Sequence, residues 1–336
     1  MFSMKNVLVT GAAGFIGCNF VRNLLNNNDE IKVISLDKLT YAGNLKNLEN
    51  LPNIHNHLFI QGDICNQALI EKLIEQYKIN CIIHFAAESH VDRSITGPSE
   101  FIQTNIFGTF SLLEAARKKW LDEYKWDKNI CRFHHISTDE VFGTLNELDP
   151  PFSETTAYAP NSPYSASKAG SDHLVRAYFH TYSLPVTTSN CSNNYGPYQH
   201  KEKLIPTVIK SCLSNNFIPV YGDGSNIRDW LYVLDHCLAI EQIIKNGKIG
   251  ETYNIGGKNE VKNLNLVYKI CDLLNEILPR DKDYKKLVTF VTDRPGHDWR
   301  YAINNAKIQT ELNWNPVYNL DQGLRETIHF YLKQGF

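Results

Sequence analysis

The sequence predicts an α/β protein built on a doubly wound parallel sheet, with a smaller, loop-rich second domain. Three observations predict it. Short β-rich runs alternate with helical patterns through the first half, and those runs are apolar with little polar alternation. A glycine-rich turn joins the first run to the first helical pattern. Strands without a polar face are strands covered on both sides, which calls for helices on both faces of a parallel sheet.

The elements follow in order. KNVLVT is the first strand, and FIGCNFVRNLLNN follows it as a helix with apolar residues at helical spacing. IKVISLD, HLFIQGD, CIIHFAA, RFHHIS and PVTTSN are further strands. Two long helical patterns run over residues 99–120 and 163–183. Beyond about residue 190 the chain is richer in Asn, Gly and Pro, with isolated helices and strands. The simplest division is a Rossmann-like dinucleotide-binding domain over 1–190 plus about 230–262. A smaller, loop-rich substrate domain then takes 191–229 plus 263–336.

Composition narrows the function. A chain of 336 residues with 43% hydrophobic and 21% charged residues has ample core for a soluble globular protein. A formal net charge of −2, with no basic block, argues against a nucleic-acid partner. No apolar run is long enough to span a bilayer, and MFSMKNVLVTG enters a strand at once, so neither a membrane partner nor a signal peptide is expected. The eight cysteines are scattered without metal-like spacing, which points to buried free thiols in a cytoplasmic protein. The tandem His134–His135 points to opposite faces of a strand, so no metal site is expected there or elsewhere.

VLVTGAAGFIG sets Gly11, Gly14 and Gly17 between the first strand and first helix. Gly11 permits the tight turn, Gly14 lets the backbone approach a diphosphate, and Gly17 lets helix and strand pack closely. The diphosphate would meet free N–H groups at the positive end of the helix dipole. Asp37 ends the second strand, where a carboxylate grips an adenosine ribose and repels a 2′-phosphate. NAD is therefore expected over NADP, although Lys38 stands beside it. Asp63 ends the third strand, either to reach the adenine or as a plain strand-end cap.

Tyr164 and Lys168 in PYSASK share one face of a predicted helix. A tyrosine with a pKa of about 10 must come down by about three pH units, or about 4 kcal/mol, to act as a base near neutrality. A neighbouring ammonium and a positive nicotinamide ring both act that way. A strand ends in STDEVFG, with Asp139 and Glu140 side by side. By itself such a pair reads equally as an exposed acidic turn or as an acid and a base. Adjacent residues on a strand face opposite ways, so both can address one ligand only if the chain leaves the strand before Asp139.

GAAGFIG, HFAAESHVDRS and YSASK mark a chain that resembles the extended short-chain dehydrogenase/reductase family. Within it, DKLTYAGNLKNL, STDEVFG, NCSNNYGPY, EKLIP, YGDGSNIRDWLYV and RPGHD resemble the dTDP-glucose 4,6-dehydratase family almost end to end. The resemblance implies that Phe15, Ile16, Thr40, Gly43, Ile64, Ala86, Ala87 and Thr104 line an NAD site with the residues above. Thr138, Asp139, Glu140, Tyr164 and Lys168 would be catalytic. Tyr164 would take the C4 hydroxyl proton, Glu140 the C5 proton, and Asp139 would protonate the departing C6 hydroxyl. Ser89 and Thr138 would meet the glucose. Asn193, Lys203, Leu204, Arg228, Asn263 and Arg294 would surround the diphosphate, Pro219 and Tyr221 would flank the base, and His297 would also bind substrate. Gln199–His200–Lys201 and Trp299 depart from the family pattern beside this region.

The implied reaction is dehydration of dTDP-glucose to a 4-keto-6-deoxy sugar nucleotide, an early step of deoxysugar biosynthesis. A homodimer is also implied, through the two long helices, with Phe101, Phe110, Leu112 and Leu113 either at the interface or in the chain's own core. The rivals are a dehydratase of UDP-, CDP- or GDP-sugars, a C4 epimerase, which has no use for Asp139 and Glu140, and an NAD-binding sensor.

Overall fold

The computed structural model describes residues 2–293 and 297–335. Its main layer is a sheet of seven strands in the order β10-β6-β5-β4-β1-β2-β3. These are β1 (Asn6–Thr10), β2 (Lys32–Asp37), β3 (His57–Gln61), β4 (Cys81–His84), β5 (Arg132–Thr138), β6 (Val186–Cys191) and β10 (Thr252–Ile255). Every pairing within it is parallel. The apolar runs are explained by burial on both faces. In β1, Val7 and Val9 enter one core and Leu8 the other, all fully buried. Each such side chain contributes about 1.5–3 kcal/mol relative to exposure.

The first core lies against α1 (Phe15–Asn27), and the second against α2 (Gln67–Tyr77). Three short helices follow β4: α3 (Val91–Thr96), α4 (Pro98–Phe101) and α5 (Gly108–Ala116). The single helix expected over 99–120 is instead interrupted by π-helical turns at Ile102–Phe107 and Arg117–Glu123. Asn105 explains the first widened turn. Its buried amide accepts from Glu88 N at 2.8 Å and donates to Glu88 O at 3.0 Å, pulling the helix onto the loop after β4. Of the expected apolar stripe, Phe101, Leu112 and Leu113 belong to this chain's own interior. The residues left half-exposed there are Ile102 (50%) and Phe107 (45%).

After β5 comes α6 (Pro163–Tyr182), opened by a Ser162–Ser165 capping box and a proline at its first turn. Beyond β6 the chain builds a second layer, with returns to the large sheet: β7 (Asn193–Tyr195), α7 (Leu204–Leu213), β8 (Ile218–Tyr221) and β9 (Ile227–Tyr232) come first. Then α8 (Val233–Asn246) returns to the large sheet and packs on α1. β11 (Glu260–Lys262), α9 (Asn263–Ile277), β12 (Val288–Val291), α10 (Ala306–Leu312) and α11 (Leu320–Gln334) complete the fold. Small sheets β11-β9-β7 and β12-β8 sit around a third core lined by α7, α9 and α11. All eight cysteines are free, seven of them buried. No helix among the described residues is long and apolar enough to cross a membrane.

Candidate active site

A cavity of about 510 Å³ opens at the carboxyl ends of the parallel strands and runs across to the second layer. Ligands of open α/β sheets occupy this edge because the strand-to-helix loops there converge.

The glycine loop forms one end. Gly11 has φ +68°, and a Cβ on it would stand 2.6 Å from Ala86 N, so only glycine fits. A Cβ on Gly17 would overlap the Gly11 carbonyl oxygen. Around a Cβ on Gly14 the nearest protein atom would be Gly11 O at 3.2 Å, so such a side chain would fill cavity space instead of striking the fold. Gly14 caps α1 without a side-chain acceptor. The N–H groups of Phe15, Ile16 and Gly17 begin the helix at this cavity wall.

Asp37 is nearly buried, and its carboxylate accepts from Ala13 N at 2.9 Å and Leu39 N at 2.8 Å. Burial raises its pKa against those two bonds. Lys38 pairs with Asp63 at 2.8 Å; that ammonium and the Cys65 N–H hold the Asp63 carboxyl below its usual range against partial burial. Thr40, Gly43, Ile64, Ala86, Ala87 and Thr104 line the same end. A glycine cradle, free helix N-terminal donors and a strand-end carboxylate together fit a dinucleotide.

The centre of the cavity is made by the end of β5. The strand stops at Thr138, and Asp139–Phe142 form one turn of 3₁₀ helix. Such a turn rotates successive side chains by about 120°, instead of the half-turn of a strand. Asp139 and Glu140 therefore both line the cavity. The sequence sets this turn in three ways. Thr138 Oγ1 accepts from Glu140 N at 3.3 Å, and Val141 and Phe142 sink into an apolar cluster with Phe152 and Tyr301. Gly143, at φ +89°, then turns the chain where a Cβ would press on Ala159 O.

Asp139 is only 1% exposed. Burial, then the charges of Glu140 and Asp229, push its carboxyl well above the usual range, with Arg228 opposing. Its Oδ2 is buried and carries no hydrogen bond from the protein. A buried carboxyl in that position favours the protonated acid.

Tyr164 and Lys168 reach the cavity from α6. The Lys168 ammonium donates to Ile136 O at 2.7 Å, and burial lowers its pKa. Burial pushes the Tyr164 hydroxyl well up, with the Glu140 and Cys191 charges adding to it and the Thr138 hydroxyl opposing. The sequence led us to expect a lowered tyrosine. The protein's own groups do the reverse, because the ring is buried beside an anion and the ammonium is directed at a backbone carbonyl.

The far end carries most of the remaining expected residues. Ser89, Asn193, Lys203, Leu204, Pro219, Tyr221, Arg228, Asn263 and His297 all line the cavity. Arg294 lies outside the described residues. Arg228 is 5% exposed; its guanidinium lies over the Tyr301 ring and donates to the backbone carbonyls of Ile227, Asp298 and Trp299. The side-chain carbonyls of Asn193 and Asn263 and the Trp230 indole N–H are buried without protein partners, as a polar ligand would require. His297 is hydrogen-bonded to Asp293 at 2.7 Å.

Reading the sequence missed the rim between the two ends. There Glu202 accepts from Arg93 at 2.8 Å and pairs with His90, while the Arg93 guanidinium stacks on Tyr41. Nothing in the spacing of these residues, drawn from three separate stretches of the chain, could have joined them.

The chain matches the family described as GDP-mannose 4,6 dehydratase over residues 8–327. It is 54% identical over 334 residues to dTDP-glucose 4,6-dehydratase of Salmonella typhimurium, covering 97% of this chain and 92% of that one. A crystal structure of dTDP-glucose 4,6-dehydratase from Bacillus anthracis in complex with NAD superposes at TM-score 0.86. It is 45% identical, with 98% of this chain and 97% of that chain covered. The Streptomyces venezuelae enzyme of the same name, also with NAD bound, gives TM-score 0.88 at 43% identity, covering 98% and 97%.

Proposed function

The chain belongs to the dTDP-glucose 4,6-dehydratase family, and from that premise we propose that it dehydrates dTDP-glucose to dTDP-4-keto-6-deoxyglucose with bound NAD. The observation that carries the reading is the 3₁₀ turn after β5, with Asp139 and Glu140 in one cavity beside Tyr164. An epimerase has no work for that acidic pair, and a sensor need not keep it.

Gly11, Gly14, Gly17 and the start of α1 would hold the diphosphate of NAD, with Asp37 at its ribose. Bound NAD would supply a hydride acceptor for C4 and a hydride donor for C6, and its positive ring would favour the Tyr164 phenolate. Tyr164 takes the C4 hydroxyl proton, with Thr138 and Ser89 orienting the sugar. The C4 ketone acidifies C5–H, and Glu140 removes that proton. Asp139, protonated because it is buried beside Glu140, gives its proton to the C6 hydroxyl, which leaves as water. Glu140 returns a proton to C5; because the hydride taken from C4 would go back to C6, no cofactor is consumed. Arg228, Asn193, Asn263 and the backbone of Lys203 and Leu204 face the diphosphate, while Pro219, Tyr221 and His297 face the base.

The seven-stranded sheet and its helices form the cofactor domain, and the layer around the third core forms the sugar-nucleotide domain. The enzyme works as a homodimer, with Ile102, Phe107 and α6 at the interface; sedimentation as a monomer at working concentrations would refute this. Free thiols throughout fit a cytoplasmic location.

The decisive test incubates purified protein with dTDP-glucose and follows product mass and NAD⁺. The expected product is lighter by one water, with no stoichiometric loss of NAD⁺. Conversion of UDP-glucose in its place would reject the base assignment.

A further inference from the structure

The buried carboxylate of Asp172 takes no part in the dehydration itself. Asp172 lies on α6 one turn beyond Lys168, and so two turns beyond Tyr164 on the same helix face. It is 6% exposed. One oxygen is hydrogen-bonded to His135 Nε2 at 3.0 Å. The other accepts from Ser137 Oγ at 2.8 Å, Tyr158 OH at 2.9 Å and Asn190 Nδ2 at 3.4 Å. The Asn190 amide also donates to Thr138 O at 3.1 Å.

Four partners thus gather on one carboxylate from β5, β6 and the loop before α6. Two of them belong to the last residues of the strand that delivers Thr138, Asp139 and Glu140. The Lys168 ammonium grips the same stretch through Ile136 O. The catalytic helix and the catalytic turn are therefore tied by alternating bonds from Asp172 and Lys168 to residues 135–137. A buried anion is a costly way to hold two elements together, since apolar packing does as well for stability alone. Its charge calls for a counter-charge, and Lys168 is the cation one turn away.

We infer that Asp172 is a positioning residue of the reaction, fixing the β5 turn against α6 and supplying the negative charge that balances the Lys168 ammonium. The inference rests on the dehydratase reading and deepens it.

The groups facing this pair come from several elements. His84 from β4 and His135 from β5 stay neutral, the first driven well below 6.5 by burial and His135, the second to about 4 by burial and Lys168. Cys191 from β6 is raised to about 12 by burial and Asp139. Tyr158 is raised by burial and by Asp172 itself. Asp139, Glu140 and Tyr164 line the same cavity as Lys168. Burial lowers Lys168 and Asp172 opposes that lowering. Removing the Asp172 charge therefore lets Lys168 lose its proton at lower pH, and the alkaline limb of activity moves down.

The experiment measures kcat and KM for dTDP-glucose against pH, with bound NAD and Tm, in the wild type, Asp172→Asn and Asp172→Glu. The asparagine variant should keep KM and NAD content within about twofold and lose about tenfold to a hundredfold in kcat. Its alkaline limb should fall by about one pH unit, as expected for loss of a nearby opposite charge. The glutamate variant should restore the limb while remaining slower. An unmoved limb in Asp172→Asn, with only Tm reduced, would overturn the inference. A wild type without turnover would instead reject the dehydratase reading. If Asp172→Asn does not fold, Ser137→Ala and Tyr158→Phe decide. Ser137→Ala cuts the tie to the strand and should lower kcat about three- to tenfold; Tyr158→Phe touches the same oxygen from the loop and should cost less than half as much. Equal effects, or none for Ser137→Ala, overturn it.

Discussion

The two ends of the cavity are made by different means. At the cofactor end, one contiguous loop does the central work with backbone: Gly11, Gly14 and Gly17 shape it, and N–H groups at the start of α1 provide the donors, with Asp37 and other side chains around them. At the catalytic end, side chains from β5, α6 and the second layer meet around a buried acid, and the electrostatics depend on all of them at once. The difference teaches where each end is fragile. A loop that binds through its backbone fails when a Cβ intrudes. A constellation of side chains fails when a proton or a charge is misplaced, even if nothing moves.

Substitutions can break this contrast from either side. The largest effect is expected from Glu140→Gln, which removes the base at C5 while leaving the glycine loop untouched. Exchange of the C5 proton in deuterated water, followed by NMR, should slow by about a thousandfold with NAD content unchanged. Unchanged exchange would refute Glu140 as the base. The mirror experiment is Gly11→Ala. Its Cβ meets Ala86 N at 2.6 Å from a left-handed backbone. NAD should be lost from the purified protein and Tm should drop, whereas tight NAD with normal Tm would show that the loop can give way.

Asp139→Asn sharpens the comparison, because one change should act in opposite directions on activity and on stability. It removes the acid, so turnover should fall about a hundredfold. The Asp139 pKa is raised in the folded state, so its stabilising contribution is lost as pH rises through the folded pKa. The asparagine variant escapes that loss. Relative to wild type its Tm should be higher at pH 8 than at pH 5, by about 2 °C or more. Equal Tm differences at both pH values would argue that Asp139 is ionised in the folded enzyme. The smallest effect is expected from Lys38→Ala, which cuts an ion pair with Asp63 whose lysine is about half exposed. Exposed pairs contribute at most about 1 kcal/mol, so NAD affinity measured by titration should change less than about fivefold.

Much of the fold was legible because its signals are local. The helix expected over FIGCNFVRNLLNN spans Phe15–Asn27, and a strand was expected at each strand of the large sheet from β1 to β6. The interrupted helix after β4 was not legible, since the widened turn answers to Asn105 gripping the Glu88 backbone, which no periodicity records. Asp172 was not singled out by the sequence. It extends the Tyr164–Lys168 spacing by one more turn, but its significance comes from four partners 14 to 37 residues away.

By itself the sequence determined the sheet with its glycine loop, the Tyr164–Lys168 face and the demand that the chain leave the strand before Asp139. Spacing along a helix or strand and the steric needs of glycine are properties of neighbouring residues. Only the tertiary structure decided how that demand is met, by a 3₁₀ turn anchored through Val141 and Phe142. It alone also decided the direction of each proton equilibrium, raising Tyr164 where the sequence led us to expect lowering. Burial and many of the charges across a cavity belong to residues far apart in the chain, and a pKa answers to those as well as to its neighbours.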